Sequence, residues 1–261
     1  MKLIFLGTGT SQGVPVIACN CRVCQSADPR DRHLRCSALV VTDDGLNVLI
    51  DIGPDFREQM LRQRVQHLDA ILITHAHRDH VGGIDDIRSF NYVQNKRMDI
   101  YGNAEALQTI VRDYNYIFQP HEFPGLPEAD LHTLSGDETF RVGENTIVPI
   151  KAMHKDLPVL GYRIGRLGYI TDLNHIEPAE LAKLEGVDVL VVDALRKEKH
   201  FSHFCLPEAL EVIAKIKPRR AYITHMSHQM GLYAEVQPTL PPNVYLATDN
   251  LEVEVMRGNA C

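Results

Sequence analysis

The chain has 261 residues, of which 44% are hydrophobic and 23% are charged, so it can bury the sizeable core of an ordinary globular protein. Its formal net charge of −7 gives no overall attraction to nucleic acid or to an anionic membrane. No apolar run reaches the roughly 18 to 20 residues of a membrane span, and the first apolar run is too short for a signal peptide. We therefore expect a cytoplasmic protein.

The first predicted strand covers residues 2–6 and is followed by a glycine-rich loop, residues 7–13. A glycine-rich loop after a strand can bind phosphate through its backbone N–H groups. Here no helix pattern follows directly, and no Lys-Ser or Lys-Thr pair completes a nucleotide-binding loop. A tight turn is therefore the favoured interpretation.

Three cysteines come next within six residues, in the order Cys19, Cys21 and Cys24. Three thiols cannot all pair with one another, and the cytosol keeps thiols reduced. A tetrahedral zinc site is the natural use of such a run, and it needs one further ligand. The sequence thus predicts a zinc-binding loop at about residues 19–24. The other cysteines are isolated and are interpreted as packing or surface residues: Cys36, Cys205 and Cys261.

The strongest motif follows a short apolar strand predicted over residues 71–74. His75, His77, Asp79 and His80 come at once after it, which places four potential ligands in six residues. Imidazole nitrogens and carboxylate oxygens bind divalent ions such as zinc, manganese or iron. The sequence therefore predicts a metal site at this strand end.

Three more polar residues each follow a predicted strand closely: His154, Asp172 and His225. Alone, a histidine or an aspartate at a strand end is more often structural than functional. Asp51 also ends a strand, in a hairpin predicted from the Asp-Gly turn at residues 44–45. An acid at this place can receive the N–H of a ligating imidazole, and a turn or helix-cap role is the alternative.

Strands and helices alternate along the chain, with several hairpins, which is typical of a mixed α/β protein. We see no composition break or linker, so a single domain over residues 1–261 is expected. Residues 119–136 are rich in proline and glycine and are predicted to be a long loop able to cover a pocket. Its two histidines, His121 and His132, are interpreted as surface residues. The predicted helices cover residues 55–65, 84–90, 105–116, 178–184 and 207–216.

The stretch from His75 to His80, with the glycines that follow Val81, resembles the signature of the metallo-β-lactamase superfamily. This resemblance implies an αββα sandwich, in which two mixed β-sheets are flanked by helices and metals bind in loops at one edge. It implies two metal ions bridged by Asp172, and an orienting role for Asp51 towards a ligating imidazole. The ligands implied for the first metal are His75, His77 and His154, and those for the second are Asp79, His80 and His225.

A charge count supports this ligand set. Two divalent ions with the carboxylates of Asp79 and Asp172 and a bridging hydroxide would leave a net charge of about +1, which attracts a phosphodiester. That hydroxide is the expected nucleophile, and the lack of a recognisable serine-nucleophile elbow agrees with it. By the resemblance, His203 matches the catalytic histidine of superfamily phosphodiesterases and is the predicted general acid, with His200 as the alternative.

The cysteine run is similar to that of the phosphoribosyl 1,2-cyclic phosphate phosphodiesterase (PhnP-like) family. In that family three cysteines of this spacing and a histidine bind structural zinc, so His228 is the implied fourth ligand. The resemblance implies a dinuclear metal-dependent phosphodiesterase that hydrolyses a small cyclic or ribose-linked phosphodiester. Manganese or zinc is expected at the catalytic site, with iron or nickel as alternatives. A homodimer is also expected from the resemblance.

Other functions stay open. A relative of the tRNA 3′-end processing endonuclease would share the metal set, but the net charge and the lack of an obvious RNA-gripping arm make nucleic acid an unexpected partner. A β-lactamase is disfavoured, because Asp79 with His80 and a bridging Asp172 is the hydrolase pattern. A non-catalytic metal-binding sensor or scaffold would be indicated by a missing ligand, and the set is complete.

Overall fold

A computed structural model describes residues 1–119 and 125–256. In these ranges the chain forms two mixed β-sheets of seven strands each, which pack face to face and carry helices on their outer sides. This architecture confirms the αββα sandwich predicted from the sequence. Within the same ranges, no helix has both the length and the apolar character needed to cross a bilayer.

Most strands are short, and four strands of the described ranges are buried along their whole length. In chain order they are β1 (Lys2–Gly7), β2 (Ser37–Val41), β3 (Asn47–Ile50), β4 (Ala70–Leu72), β5 (Met98–Asn103), β6 (Ala129–Leu134), β7 (Phe140–Val142), β8 (Asn145–His154), β9 (Leu157–Ile164), β10 (Leu167–Ile170), β11 (Val189–Asp193), β12 (Arg220–Thr224), β13 (Val244–Leu246) and β14 (Glu252–Glu254).

The helices lie between these strands in the chain. They are α1 (Phe56–Gln63), α2 (Arg78–Val81), α3 (Arg88–Gln94), α4 (Ala104–Asp113), α5 (Asn115–Phe118), α6 (Pro178–Ala182), α7 (Leu206–Ile216) and α8 (Tyr233–Val236). Short 3₁₀ turns complete the regular structure at Pro29–Asp31, Ile84–Ile87, His228–Met230 and Gln237–Thr239.

Each sheet is half antiparallel and half parallel. The first has the strand order β14-β1-β2-β3-β4-β5-β6, and the second has the order β13-β12-β11-β10-β9-β8-β7. Strands β3 to β6 and β10 to β13 are the parallel halves. Parallel strands are covered on both faces, which is why Val189–Asp193 is an almost continuous apolar run. Their carboxyl ends lie at one edge of each sheet, where loops carry the polar residues.

Apolar side chains fill three layers of the sandwich. Residues from both sheets, including Phe5 and Tyr162, pack in the central layer. Phe56 of α1 and Ile110 of α4 cover the outer face of the first sheet. Val212 of α7 covers the outer face of the second sheet. The two outer layers hold the helices in place, so the loops at the sheet edge start from rigid elements.

The region predicted as a long loop differs from the structure. Ala129–Leu134 forms β6, which pairs in parallel with β5 at the edge of the first sheet, so the loop prediction for residues 119–136 is wrong over its second part. Most prolines and glycines that suggested a loop precede this strand. His132 Nε2 lies 2.7 Å from Asp99 Oδ1 and its side chain is partly exposed, in agreement with a surface residue. His121 and Cys261 lie outside the described residues.

Candidate metal centre

The seven predicted catalytic ligands lie together at one edge of the sandwich. His75 follows β4, His154 is the last residue of β8, and Asp172 and His225 follow β10 and β12. The strand ends therefore bring together residues that are far apart in the sequence. The other three ligands lie on or beside α2: His77, Asp79 and His80.

Three residues of the edge have a left-handed backbone. The φ angles are 61° at Asp51, 55° at Asp172 and 57° at His225, and none of the three is glycine. Each residue comes within two positions of the end of a strand. A left-handed conformation costs a side-chain-bearing residue about 1–2 kcal/mol, so it persists where the surrounding structure over-determines it, often at a functional site.

Four of the ligands form a buried group around two carboxylates: Asp79, His80, Asp172 and His225. His80 Nε2 lies 2.9 Å from Asp172 Oδ2 and 3.2 Å from Asp79 Oδ2. His225 Nε2 lies 2.8 Å from Asp172 Oδ1 and 3.6 Å from Asp79 Oδ2. Two imidazole nitrogens and two carboxylates thus converge on one small volume.

A second group shares Asp172 with the first. His75 Nε2 lies 3.0 Å from His77 Nδ1 and 3.3 Å from Asp172 Oδ2. The ring of His154 is beside this group, with its centre 5.2 Å from the ring centre of His77. His154 Nδ1 donates a hydrogen bond to the carbonyl of Ser202 at 2.7 Å, which leaves Nε2 as its free ligand atom.

Asp51 orients two of the histidines. Its Oδ2 lies 2.7 Å from His80 Nδ1 and accepts a hydrogen bond from the Thr74 hydroxyl at 2.9 Å. Because that hydroxyl donates to Asp51, it accepts the N–H of His75 Nδ1, which is 3.0 Å away. With a metal ion bound, both imidazoles would keep their proton on Nδ1 and present Nε2 as the ligand atom. Asp51 therefore contacts the imidazole of His80 directly. It reaches a second imidazole, that of His75, through the Thr74 hydroxyl.

The buried polar atoms fit bound cations. Among the described residues, His80 Nε2, His225 Nε2 and Asp172 Oδ1 are buried without a hydrogen-bond partner. His225 Nε2 and Asp172 Oδ1 are close but not aligned for a hydrogen bond, as expected of two atoms that face a common third atom. Burial alone would lower the pKa of His80, but Asp79, Asp51 and Asp172 raise that pKa well above its usual value. A divalent ion would supply the positive charge that a proton supplies here.

His203 faces this cluster, and His200 lies next to His203. His203 Nδ1 is 3.6 Å from Asp172 Oδ1, and its ring centre is 4.5 Å from that of His154. The nitrogen is buried and has no hydrogen-bond partner among the described residues. The ring of His200 is tilted against that of His203, with ring centres 5.2 Å apart, and contacts the Ser202 hydroxyl. Burial lowers the pKa of His203 to about 3, so the ring is neutral at pH 7.

The cysteine run and His228 form a separate cluster. The Sγ atoms of Cys19, Cys21 and Cys24 lie 3.3, 3.3 and 3.5 Å from His228 Nδ1. Tetrahedral zinc with bonds of about 2.0–2.3 Å places its ligand atoms roughly 3.5 Å apart, so the four atoms fit such an ion. A hydrogen bond from the Cys24 backbone N–H lowers the pKa of the Cys21 thiol to about 6, towards the thiolate that zinc binds.

The two clusters are joined through one segment. Met226, between His225 and His228, donates its N–H to the Thr8 carbonyl at 2.9 Å and accepts the Thr10 N–H at 3.1 Å. The glycine-rich loop is thus fastened to the residues that present both histidines. These contacts account for the turn-rich sequence of the loop, and no bound nucleotide is needed to explain it. The structure thus agrees with the tight turn predicted there.

Sequence reasoning did not assign a role to two buried residues of the centre. Thr74 links Asp51 to His75, and the signal that could have found it is a hydroxyl directly before the first ligand. Asp193 ends β11 and accepts the Leu173 N–H at 3.4 Å, one residue from Asp172. It is fully buried, and burial raises its pKa well above the usual range. Its sequence signal is an acid that ends an apolar strand.

Comparison with known proteins decides the family. A family model described as a beta-lactamase superfamily domain matches residues 46–226. The crystal structure of a new diphosphatase from the PhnP family has a TM-score of 0.91 and 36% identity, over 98% of this chain and 98% of that chain. The chain belongs to the PhnP family of the metallo-β-lactamase superfamily. As a PhnP-family protein it is a metal-dependent hydrolase, which confirms the predicted class of enzyme.

More distant structures share the fold of this PhnP-family chain. Zinc-bound PqqB from Methylobacterium extorquens has a TM-score of 0.81 and 18% identity, over 97% of this chain and all of that chain (100%). The short form of human tRNase Z has a TM-score of 0.73 and 18% identity, over 98% and 100%. Relatives in the superfamily therefore bind divalent metals such as zinc, and this chain has a candidate site for them.

A curated relative has a different kind of name. A Porphyromonas gingivalis protein named octanoyltransferase is 38% identical over 253 residues, which are 97% of this chain and 51% of that protein. The chain therefore spans about half the length of that relative. A name given to the whole protein does not assign octanoyl transfer to the half that aligns with a PhnP-family chain.

Proposed function

We propose that this chain is a dinuclear metal phosphodiesterase that hydrolyses small cyclic or ribose-linked phosphodiesters. The observation that carries the proposal is the position of Asp172, whose carboxylate contacts histidines of both proposed ligand groups. Oδ2 is 3.3 Å from His75 and 2.9 Å from His80, and Oδ1 is 2.8 Å from His225. A carboxylate in this position suits a bridge between two ions.

The proposed ligands follow from these contacts. One ion would be held by His75, His77 and His154, and the other by Asp79, His80 and His225, with Asp172 shared. Bound ions would activate water and neutralise charge on the phosphate, and this mixed nitrogen and oxygen set accepts manganese, zinc, iron or nickel. A third ion, structural zinc, would be held by Cys19, Cys21, Cys24 and His228.

His203 is the proposed proton donor to the leaving oxygen. It lies at the surface of the cluster nearest Asp172, with an unpartnered ring nitrogen. An anionic phosphate beside the ring would raise its pKa and help it to carry the proton. Among the described residues, His203 contacts Asp172 and His200 does not, which supports the assignment of the donor role to His203.

RNA processing receives less support. The likeness to tRNase Z, at 18% identity, concerns the fold alone. The net charge of −7 opposes attraction to a polyanion, because affinity for nucleic acid depends on neutralising many phosphates. A small diester carries few charges and does not require an extended positively charged surface.

Phosphorus NMR tests the proposal. Manganese-loaded protein is incubated with 5-phosphoribosyl 1,2-cyclic phosphate and, separately, with bis(p-nitrophenyl) phosphate, and metal content is measured by mass spectrometry. Opening of the cyclic ester, dependent on metal, is expected. Cleavage of the nitrophenyl diester alone would keep the chemistry and reject the substrate. Full metal occupancy with no turnover of either diester would favour a metal-binding sensor or scaffold, and cleavage of RNA 3′ ends would favour the processing enzyme.

A further inference from the structure

An exposed aromatic ring lies on the segment that carries His203. This segment, residues 194–205, joins β11 to α7, and Phe201 comes two residues before His203. Phe201 is 71% exposed, whereas Ser202 and Phe204, on either side of His203, are buried. A single exposed apolar side chain is normal at a protein surface and by itself needs no explanation. The position of this ring relative to the metal centre is what suggests a role.

A row of ring contacts leads from Phe201 to the metal centre. The ring centre of Phe201 is 4.4 Å from that of His200, and the ring centre of His200 is 5.2 Å from that of His203. The His203 ring in turn stacks on that of His225, a proposed ligand, with ring centres 5.2 Å apart. A planar group placed on Phe201 is therefore only two ring contacts away from the proposed proton donor.

Hydrogen bonds to neighbouring residues hold the backbone of the segment in place. The Leu195 N–H donates to the Phe204 carbonyl at 3.0 Å, and the Phe204 N–H donates to the Leu173 carbonyl at 2.8 Å. The Asn174 side-chain amide donates to the carbonyl of Phe201 itself at 3.2 Å. The exposed ring thus starts from a fixed backbone, so a ligand that stacks on it does not first have to order the segment.

Arg196 fastens the turn that precedes the exposed ring. Its guanidinium donates to the carbonyls of Glu198 at 3.2 Å and of Lys199 at 3.0 Å. It also donates to the side-chain oxygen of Gln229 at 2.9 Å, and Gln229 directly follows His228 of the cysteine cluster. The turn is therefore closed on itself and tied to the residues that present both clusters.

The segment is positively charged in an acidic protein. Arg196, Lys197 and Lys199 stand against a single carboxylate, that of Glu198, whereas the whole chain has a net charge of −7. Within residues 1–119 and 125–256, Lys197 has no ion-pair or hydrogen-bond partner. A cationic surface beside an aromatic ring favours an anionic ligand that also has a planar group, and a nucleotide offers this combination.

We infer that Phe201 is a stacking platform for a planar ring of the substrate, and that the preferred substrates are phosphodiesters in which a nucleoside supplies this ring. The sugar separates the base from the phosphorus, as the His200 ring separates Phe201 from His203. Phe201 then sets specificity and takes no part in bond cleavage. This inference rests on the proposed function, because it names the group on the diester that the same site recognises.

Two diesters that differ only in the base test the inference. Thymidine 5′-(p-nitrophenyl phosphate) and the corresponding 1-methyl 2-deoxyriboside release the same p-nitrophenolate, so the ratio of their kcat/KM values measures the contribution of the base. In Phe201→Leu this ratio should fall about 5- to 100-fold, the range for one lost stacking contact between a base and an aromatic ring. Phe201→Tyr keeps a ring and should retain the wild-type ratio.

Tyr92→Leu is the matched control. Tyr92 is 90% exposed on α3, which carries none of the proposed site residues, so this variant removes an accessible ring elsewhere and should leave the ratio unchanged. An unchanged ratio in an active Phe201→Leu enzyme would overturn the inference and leave the phosphodiesterase intact. An equal fall in Tyr92→Leu would overturn it as well. Thermal melting checks that each variant is folded.

A binding measurement separates this inference from the proposed function. The chain contains no tryptophan, so Phe201→Trp and Tyr92→Trp each introduce a single tryptophan, one at the platform and one on α3. Thymidine 5′-monophosphate is titrated into both metal-loaded variants, and 2-deoxyribose 5-phosphate, which lacks the base, is titrated separately.

Saturable quenching of tryptophan fluorescence is expected in Phe201→Trp alone, and from the nucleotide alone. That result supports the inference even if no diester is hydrolysed or Phe201→Leu does not fold. Absence of quenching in Phe201→Trp, or equal quenching in both variants or by both ligands, would overturn it.

Discussion

The Nδ1 atom of His80 lies 2.7 Å from Oδ2 of Asp51, and both side chains are fully buried. The same carboxylate accepts hydrogen bonds from the backbone and the hydroxyl of Thr74, whose hydroxyl in turn contacts His75. One acid therefore sets the ring orientation of a histidine in each of the two proposed metal sites.

Asp51→Asn should weaken metal binding. An amide nitrogen facing His80 cannot accept its N–H, so the ring proton moves to Nε2 and blocks the proposed ligand atom. Loss of an outer partner of this kind lowers metal affinity about 10- to 100-fold. The metal affinity is measured by counting bound metal ions with mass spectrometry during titration with a chelator. The exposed Asp130→Asn serves as the control, and equal retention of metal in both variants would refute the orienting role.

Cys21→Ser should remove one equivalent of zinc and lower the melting temperature. Serine does not replace the thiolate of a closed zinc site, and zinc binding contributes to folding free energy. Asn20→Ser, an exposed change in the same loop, is the matched control. A zinc count and melting curve like those of the control would mean that the cysteine cluster binds no structural metal.

His203→Ala should reduce kcat for diester hydrolysis about 10²- to 10⁴-fold, the usual contribution of a positioned proton donor. Metal content should stay at the wild-type level, because the proposed ligands are other residues. His200→Ala should have a smaller effect, since its ring is farther from Asp172. A larger loss in His200→Ala would exchange the two roles, and loss of metal in His203→Ala would make His203 a ligand.

Asp188→Asn should destabilise the fold in a pH-dependent way. Arg219 donates to the buried Asp188 carboxylate at 2.5 and 3.1 Å and holds its pKa below the ordinary value. Its stabilisation is therefore present above the unfolded pKa of about 3.9 and is lost as the pH falls through the lower folded pKa. Urea unfolding at pH 7 should show a loss of about 1–3 kcal/mol, and a smaller loss near pH 3. Asp137 forms an ion pair with Lys151 on the surface, so Asp137→Asn is the control. This variant should change the free energy of unfolding little. If the free energy of unfolding lost in Asp188→Asn were the same at both pH values, the ion pair would not be the source of the stability.

Four candidate ligands could be predicted from the residues because they are close in sequence, whereas the αββα fold and the distant ligands followed from the family resemblance that this motif carries. His75 to His80 follow one apolar strand within six residues, and the acid Asp51 ends another. The orienting link through Thr74 could not be predicted, because it depends on how β3 and β4 pair. Arg35 carries no local pattern at all, and only the folded chain places it in the wall of a cleft that Asp79 also lines. The edge strand β6 was missed because its short alternating run follows a proline-rich stretch.

The left-handed backbone at three residues of the centre matters for protein engineering. These residues are Asp51, Asp172 and His225. Glycine adopts this backbone without the penalty that a side chain brings, and asparagine adopts it more readily than histidine does. A library screened only for heat resistance would thus enrich such replacements at two proposed metal ligands and at the acid that orients a third. The stabilised variants it returned would be folded proteins that had traded catalysis for durability, so any screen on this chain has to select for turnover as well.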